Sequence, residues 1–185
     1  QSKGADGRFS DKTIHEISKA CVEMGKVKTG ALIVVEQNDP LTEYERTGIA
    51  VDGIVTSQLL INIFEHNTPL HDGAVIVRGD RITSATCYLP LSDNMSLSKE
   101  LGTRHRAGVG VSEATDSMTV IVSEETGQIS VAYEGSLSRG LTGTELEEEL
   151  KKIQNKPDGE KEPKSKVGRV KGRIWKGRPK NEKTK

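Results

Sequence analysis

Three short runs of branched aliphatic residues constrain this chain more than any other feature: ALIVV from Ala31, AVIV from Ala74 and TVIV from Thr119. The first, continuously apolar and closed by Asn38-Asp39-Pro40, has the signature of a strand covered on both faces. The second belongs to GAVIVR, which with a Gly79-Asp80 turn and RITSATCYL reads as a hairpin. The third lies in MTVIVS, which with EETGQ and ISVAYE forms a second hairpin. Aromatic residues make up only 3% of the chain, so the core must be assembled from Ile, Val, Leu and Ala. Such a core suits a β-rich or α/β interior.

Helical periodicity fills the gaps between these runs. Ile14, Ile17, Cys21 and Met24 share one helical face after Ser10 or Asp11 as cap, with Gly25 as the stop. Leu59, Leu60, Ile63 and Phe64 form a second such face after Thr56, closed by Asn67-Thr68-Pro69. A third helix is expected in TRHRAGVGVSEAT with Thr103 as its cap, and a fourth in LEEELKKI behind the capping-box pair Thr142 and Glu145. The resulting order, α, β, α, hairpin, α, hairpin, α, describes an α/β fold of mixed α+β type, a twisted mixed sheet covered by helices.

The domain plan is a polar lead-in over 1–10, a body over 11–154 and a basic tail over 155–185. A net charge of zero hides a split, because residues 151–185 hold 14 Lys and Arg against 4 Asp and Glu, leaving 13 against 23 in residues 1–150. The tail has too few apolar residues to offset the entropy of ordering itself and is expected to be disordered alone. Its GRVKGRIWKGRPK segment suits nucleic acid or anionic lipid, with Trp175 stacking or lying at an interface, and equally suits a solvated solubility tail. Cys21 and Cys87 sit far apart within apolar segments, which argues against a disulfide framework and for a reducing compartment. No apolar run nears the roughly 20 residues of a membrane span, so the chain reads as soluble; opening on Gln1, it also reads as a fragment.

Four groups can carry chemistry. His71-Asp72 stands before a core strand and Gly73; it is either a polar turn or an aspartate able to orient or deprotonate a hydroxyl beside a metal-ligating histidine. Thr103-Arg104-His105-Arg106 puts basic residues at a helix start, where acidic ones are usual; this is either an anion site or an arginine pair salt-bridged to the acidic body. Ser123-Glu124-Glu125 is a solvated hairpin turn, or, if near His71, the carboxylate of a Mg or Mn site. Tyr88-Leu89-Pro90 ends a strand either in plain packing or in a ledge for a flat base.

Taken together, LHDGAVIV, ELGTRHRA and IVSEETG, in that order and spacing, resemble the diadenylate cyclase family over about residues 11–140. The resemblance rests on the Asp72-Gly73-Ala74 and Arg104-His105-Arg106 motifs as an ordered pair, and SQLLINIF with NTPLHDG is most similar to the membrane-linked type of Gram-positive bacteria. It implies a mixed sheet with helices on both faces and condensation of two ATP into cyclic di-AMP and two pyrophosphates, using Mn, Mg or Co. It further implies that Asp72 acts on the ribose 3′-hydroxyl, that Gly73 and Ala74 admit the nucleotide, and that Thr103, Arg104, His105 and Arg106 hold the triphosphate. Ser123 and Glu124 add nucleotide contacts, Tyr88 and Leu89 face adenine, and His71, Glu125 and Asp72 are the expected metal ligands. The implied partners are ATP, a face-to-face second copy, a YbbR-type regulator and phosphoglucosamine mutase, with no nucleic acid on the catalytic domain. The implied location is a cytoplasmic domain tethered to the membrane by an upstream segment. A module that senses ATP or a cyclic dinucleotide without turnover, or a polyanion binder acting through the tail, are the competing readings.

Overall fold

The computed structural model describes residues 9–154 and the backbone of residues 174–175. Its elements are α1 (Asp11–Lys26), β1 (Ala31–Val35), α2 (Thr42–Glu45), β2 (Ile49–Ile54), α3 (Ser57–Phe64), β3 (Ala74–Arg78), β4 (Arg81–Cys87), α4 (Thr103–Ala114), β5 (Met118–Val122), β6 (Ile129–Tyr133), β7 (Ser136–Leu141), α5 (Gly143–Lys151) and β8 (Ile174–Trp175). The strands form one sheet in the order β2-β4-β3-β1-β5-β6-β7-β8. The sheet is mixed, because β1 runs parallel to β3 and antiparallel to β5.

β1 lies in the middle of the sheet, and all five of its residues are buried. Its side chains alternate between two cores. Ala31, Ile33 and Val35 join the layer containing α1, α3 and α5, whereas Leu32 and Val34 join the layer under α4. Each large aliphatic buried this way contributes on the order of 1.5–3 kcal/mol. This double burial explains why the run carries no polar residue.

Three elements carry too weak an apolar pattern to be read from sequence. β2 is an edge strand whose residues are exposed or half-buried and which turns through positive φ at Asp52, so it lacks a core-facing alternation. β7 reads SLSRGL, and only Leu137 and Leu141 mark its buried side. The four-residue α2 is held by charge rather than burial, through Arg78, which pairs with both Glu36 and Glu45.

Two local readings need correction. α1 does not stop at Gly25: it runs to Lys26, and Lys28 at φ 55° closes it, donating to Gly25 O while Thr29 N–H reaches Met24 O. Gly25 instead lets the β5–β6 turn approach, since a Cβ there would lie 2.6 Å from Gly127 O. α4 is not capped by Thr103: its N-cap is Gly102, which offers no side-chain acceptor, and Thr103 is the first helical residue. Of the expected lead-in, Phe9 is buried in the core and Ser10 caps α1 by accepting from Thr13 N–H. The amide of Gln154 donates to Phe9 O and Asp11 Oδ1, joining the two ends of the body. Residues 155–173 and 176–185 of the tail lie outside the described residues; Ile174 and Trp175 pair with Ser138 and Leu137 of β7.

Candidate active site

Strand register brings the sequence motifs to one end of the sheet. Ala31 at the start of β1 lies opposite Val122 at the end of β5, and the parallel pairing of Ile33 with Val75 sets Gly73 beside Ala31. Ala74 in turn faces Cys87 at the end of β4. The loops after β4 and β5, the turn before β3 and the start of α4 therefore surround one cavity of about 690 Å³.

Asp72 and Gly73 line this cavity. The Asp72 carboxylate is exposed and accepts the Gly73 N–H at 3.0 Å through Oδ1. Gly73 has φ 74°, and a Cβ on it would lie 2.8 Å from Cys87 O and 2.9 Å from Thr86 C. The glycine is thus required by its own backbone and by neighbouring β4, in addition to the access it gives from the cavity.

The start of α4 forms the opposite wall. Thr103, Arg104 and His105 line the cavity, and the first intrahelical bond is donated by Arg106 N–H to Gly102 O. The three preceding N–H groups therefore have no helical acceptor, and Gly102 supplies none. Arg104 is three-quarters covered, ion-paired to Glu124 at 3.2 Å, and lies across Gly30, where a Cβ would meet its guanidinium carbon at 2.6 Å. Gly30 is a positioning residue that the sequence reading missed, since a Thr-Gly before a strand reads only as a turn. His105 is buried, and burial, followed by the positive charges of Arg139 and Arg104, depresses its pKa to about 4. At neutral pH it is an uncharged imidazole, so the fixed charge of the motif resides in its arginines.

Ser123, Glu124 and Glu125 complete the rim. The Ser123 hydroxyl accepts the N–H groups of Glu125 and Thr126, and its carbonyl accepts Gly127 N–H, so this turn is wired to itself and seated on Gly25. Tyr88 and Leu89 also line the cavity, Tyr88 largely exposed and Leu89 packed on the α4-side core.

Three expected residues stand back from it. Ala74 is buried in β3, and half-buried Arg106 accepts Ser92 N–H through its carbonyl. His71 is half-buried, with Nδ1 2.6 Å from Thr68 O and its ring against His66. The cavity has an apolar floor of Leu32, Cys87, Ala107 and Val122 that sequence reading missed, because such residues look like ordinary core. Burial raises the Cys87 thiol to about 11, which makes it an inert wall.

This combination, a carboxylate facing an uncapped, arginine-bearing helix start across an apolar floor, has the chemistry to take a ligand with both an anionic and an apolar part. The profile of the DAC family, described as DisA bacterial checkpoint controller nucleotide-binding, matches residues 18–137, and the chain belongs to that family. It is similar to cyclic di-AMP synthase CdaA of Bacillus subtilis (strain 168), 56% identical over 139 residues, which are 75% of this chain and 51% of that protein. It is also similar to a diadenylate cyclase of Listeria monocytogenes serotype 1/2a (strain 10403S), 55% identical over 140 residues, covering 76% and 50%. Among solved structures, a double mutant of DacA from Staphylococcus aureus superposes with TM-score 0.76 at 50% identity, covering 78% of this chain and 97% of that one. A hypothetical membrane spanning protein from Bacillus cereus gives 0.66 at 44%, covering 68% and 62%. The chain spans about half the length of the curated relatives it matches.

Proposed function

We propose that this protein is a diadenylate cyclase, joining two ATP molecules into cyclic di-AMP with release of two pyrophosphates. The observation that carries the reading is the shared cavity: Asp72 stands on one side and the unsatisfied N–H groups of α4 with Arg104 on the other. Each 3′-oxygen attacks the α-phosphorus of the other ATP, the new P–O bond forming as the bond to pyrophosphate breaks. Asp72, with Oδ1 held by Gly73 N–H, presents its other oxygen to the 3′-hydroxyl and orients it or takes its proton. The α4 terminus and Arg104 receive the triphosphate, and Glu124 is the counter-ion that phosphate replaces. Neutral His105 adds shape and hydrogen bonding rather than charge. Tyr88 and Leu89 offer the base an apolar face.

The donor set fits a divalent cation shared with substrate. Asp72 and Glu125 are exposed, and the Nδ1 contact of His71 leaves Nε2 as its free lone pair. Among the described residues no three His, Cys, Asp or Glu form a complete site, so phosphate oxygens would supply the remaining ligands. When bound, Mn, Mg or Co would neutralise triphosphate charge and assist pyrophosphate departure.

One cavity holds one ATP, so a second copy must present the other. Tyr88 and Leu91, exposed apolar residues on the cavity wall, suit such pairing. No helix among the described residues is long and apolar enough to cross a membrane; a membrane tether, a YbbR-type regulator and phosphoglucosamine mutase are proposed on the family resemblance. Incubation with ATP and Mn followed by chromatography tests the reading. Cyclic di-AMP is expected, and bound but unconverted ATP would replace the cyclase with a sensing module.

A further inference from the structure

His66, just past the end of α3, has no part in the mechanism above, yet its ring lies against that of His71. The centroids are 5.6 Å apart and the planes are inclined by 57°. Two imidazoles bound to one ion through nitrogens at about 2.1 Å, with an angle of about 110–120° at the metal, hold their ring centres about 5–6 Å apart. The observed spacing lies in that range.

The tautomer is also set. Nδ1 of His71 is 2.6 Å from Thr68 O, which can only accept, so Nδ1 carries the proton and Nε2 keeps its lone pair. Thr68 is itself fixed, its hydroxyl lying 3.0 Å from both Ile63 O and Glu65 O and its N–H bonded to Glu65 O. This is the second-layer support that orients a metal-binding imidazole. His66 is exposed and makes no hydrogen bond among the described residues, so both of its nitrogens are available. The last turn of α3 holds no basic residue, and exposed Glu65 follows it, so helix carbonyls and a carboxylate favour a cation there.

We infer that His66 and His71 form a paired-imidazole site for a late first-row divalent metal of the Co, Ni or Zn class, at the approach to Asp72. Paired nitrogen ligands bind these ions in preference to Mg, which favours oxygen. Water completes the coordination in the free protein; that a nucleotide phosphate later replaces it rests on the cyclase reading.

The test is a titration of the full, tag-free chain with Co(II), without nucleotide, followed by calorimetry and visible absorption. One cobalt per chain is expected, retained against a hundredfold excess of Mg. His66→Ala and His71→Ala should each weaken binding at least tenfold, while His15→Ala, whose ring pairs with Glu147 of α5, leaves it unchanged. Should His71→Ala lower the melting temperature, His66→Ala decides alone, because His66 is exposed and makes no hydrogen bond among the described residues. Unchanged cobalt affinity in His66→Ala, or displacement by equimolar Mg, overturns the site. Because no ATP is present, a protein that binds cobalt through both histidines but makes no cyclic di-AMP fails only the cyclase reading, and the reverse result fails only this one.

Discussion

Helices α1, α3 and α5 begin in one way and α4 in another. Ser10, Thr56 and Thr142 each accept a backbone N–H from the first turn of their helix, and Glu145 completes a capping box at Thr142. α4 begins at Gly102 without a side-chain acceptor and puts Arg104 and Arg106 where positive charge opposes the helix dipole. The three capped helices pack one face of the sheet, and α4 the other. Among the helices of two turns or more, the contrast teaches that local stability is given up at one start, the one that opens on the cavity. Natural chains break local rules where a ligand completes them.

The largest effect is expected at Asp72, which faces α4 across the cavity. Asp72→Asn keeps the shape of the site but removes the carboxylate, so turnover should fall by about 10²–10⁴-fold while the ATP dissociation constant changes little. Quench-flow product assays with parallel calorimetry check the split. Product formation near the unmodified rate would remove Asp72 from the chemistry. Arg104→Ala acts on the helix start itself and should weaken ATP binding by about 10–100-fold, the range of a lost charge-assisted contact. The melting temperature should hardly move, because the Glu124 partner is mostly exposed. An unchanged ATP dissociation constant would reduce Arg104 to a surface ion pair.

His105 gives a pH signature to the same contrast. Its folded pKa of about 4 lies below the ordinary 6.5, so its contribution to stability is fully present above pH 6.5. As pH falls below 6.5 the unfolded chain takes up a proton that the folded chain refuses. Stability is therefore lost at up to about 1.4 kcal/mol per pH unit until the folded imidazole also protonates near pH 4. Urea melts of the wild type and His105→Gln at pH 7, 6 and 5 should show a steeper loss in the wild type, the remaining slope of the variant belonging to carboxylates such as Glu16 and Asp80, whose pKa values hydrogen bonds lower in the fold.

What could be read in the sequence follows from what each residue is for. β1, β3 and the two hairpins were legible because double burial forces continuous apolar runs. β2 and β7 were not, because an exposed edge strand and a strand with two buried side chains leave little pattern. Asp72, Gly73, Tyr88, Leu89, Thr103, Arg104, His105 and the Ser123 turn stand out in the sequence through their chemistry or motif, and all line one cavity. Gly30 was invisible because its role is to leave room for a side chain 74 positions away, and Leu32 and Val122 because a pocket floor has the composition of a core. The reading of Thr103 as a cap failed on a rule that is usually sound, and it failed at the one helix start that lines the cavity, where no side chain satisfies the first N–H groups.

That failure yields the smallest and most discriminating prediction, a paired substitution at two helix starts. Gly102 has φ −82° and ψ −171°, and a Cβ there meets nothing within 4 Å, so Gly102→Ser fits without strain. Its hydroxyl would accept an N–H of the first turn of α4 and should raise stability by a few tenths of a kcal/mol, up to about 1. The same hydroxyl competes with phosphate for that donor, so ATP binding should weaken severalfold. Thr142→Ala does the opposite at α5, removing a cap for a loss of about 1 kcal/mol with ATP affinity unchanged. Thermal melts and nucleotide titrations of both variants decide the matter. If Gly102→Ser stabilises the fold and leaves ATP affinity intact, the open end of α4 is a tolerated defect and not the phosphate site.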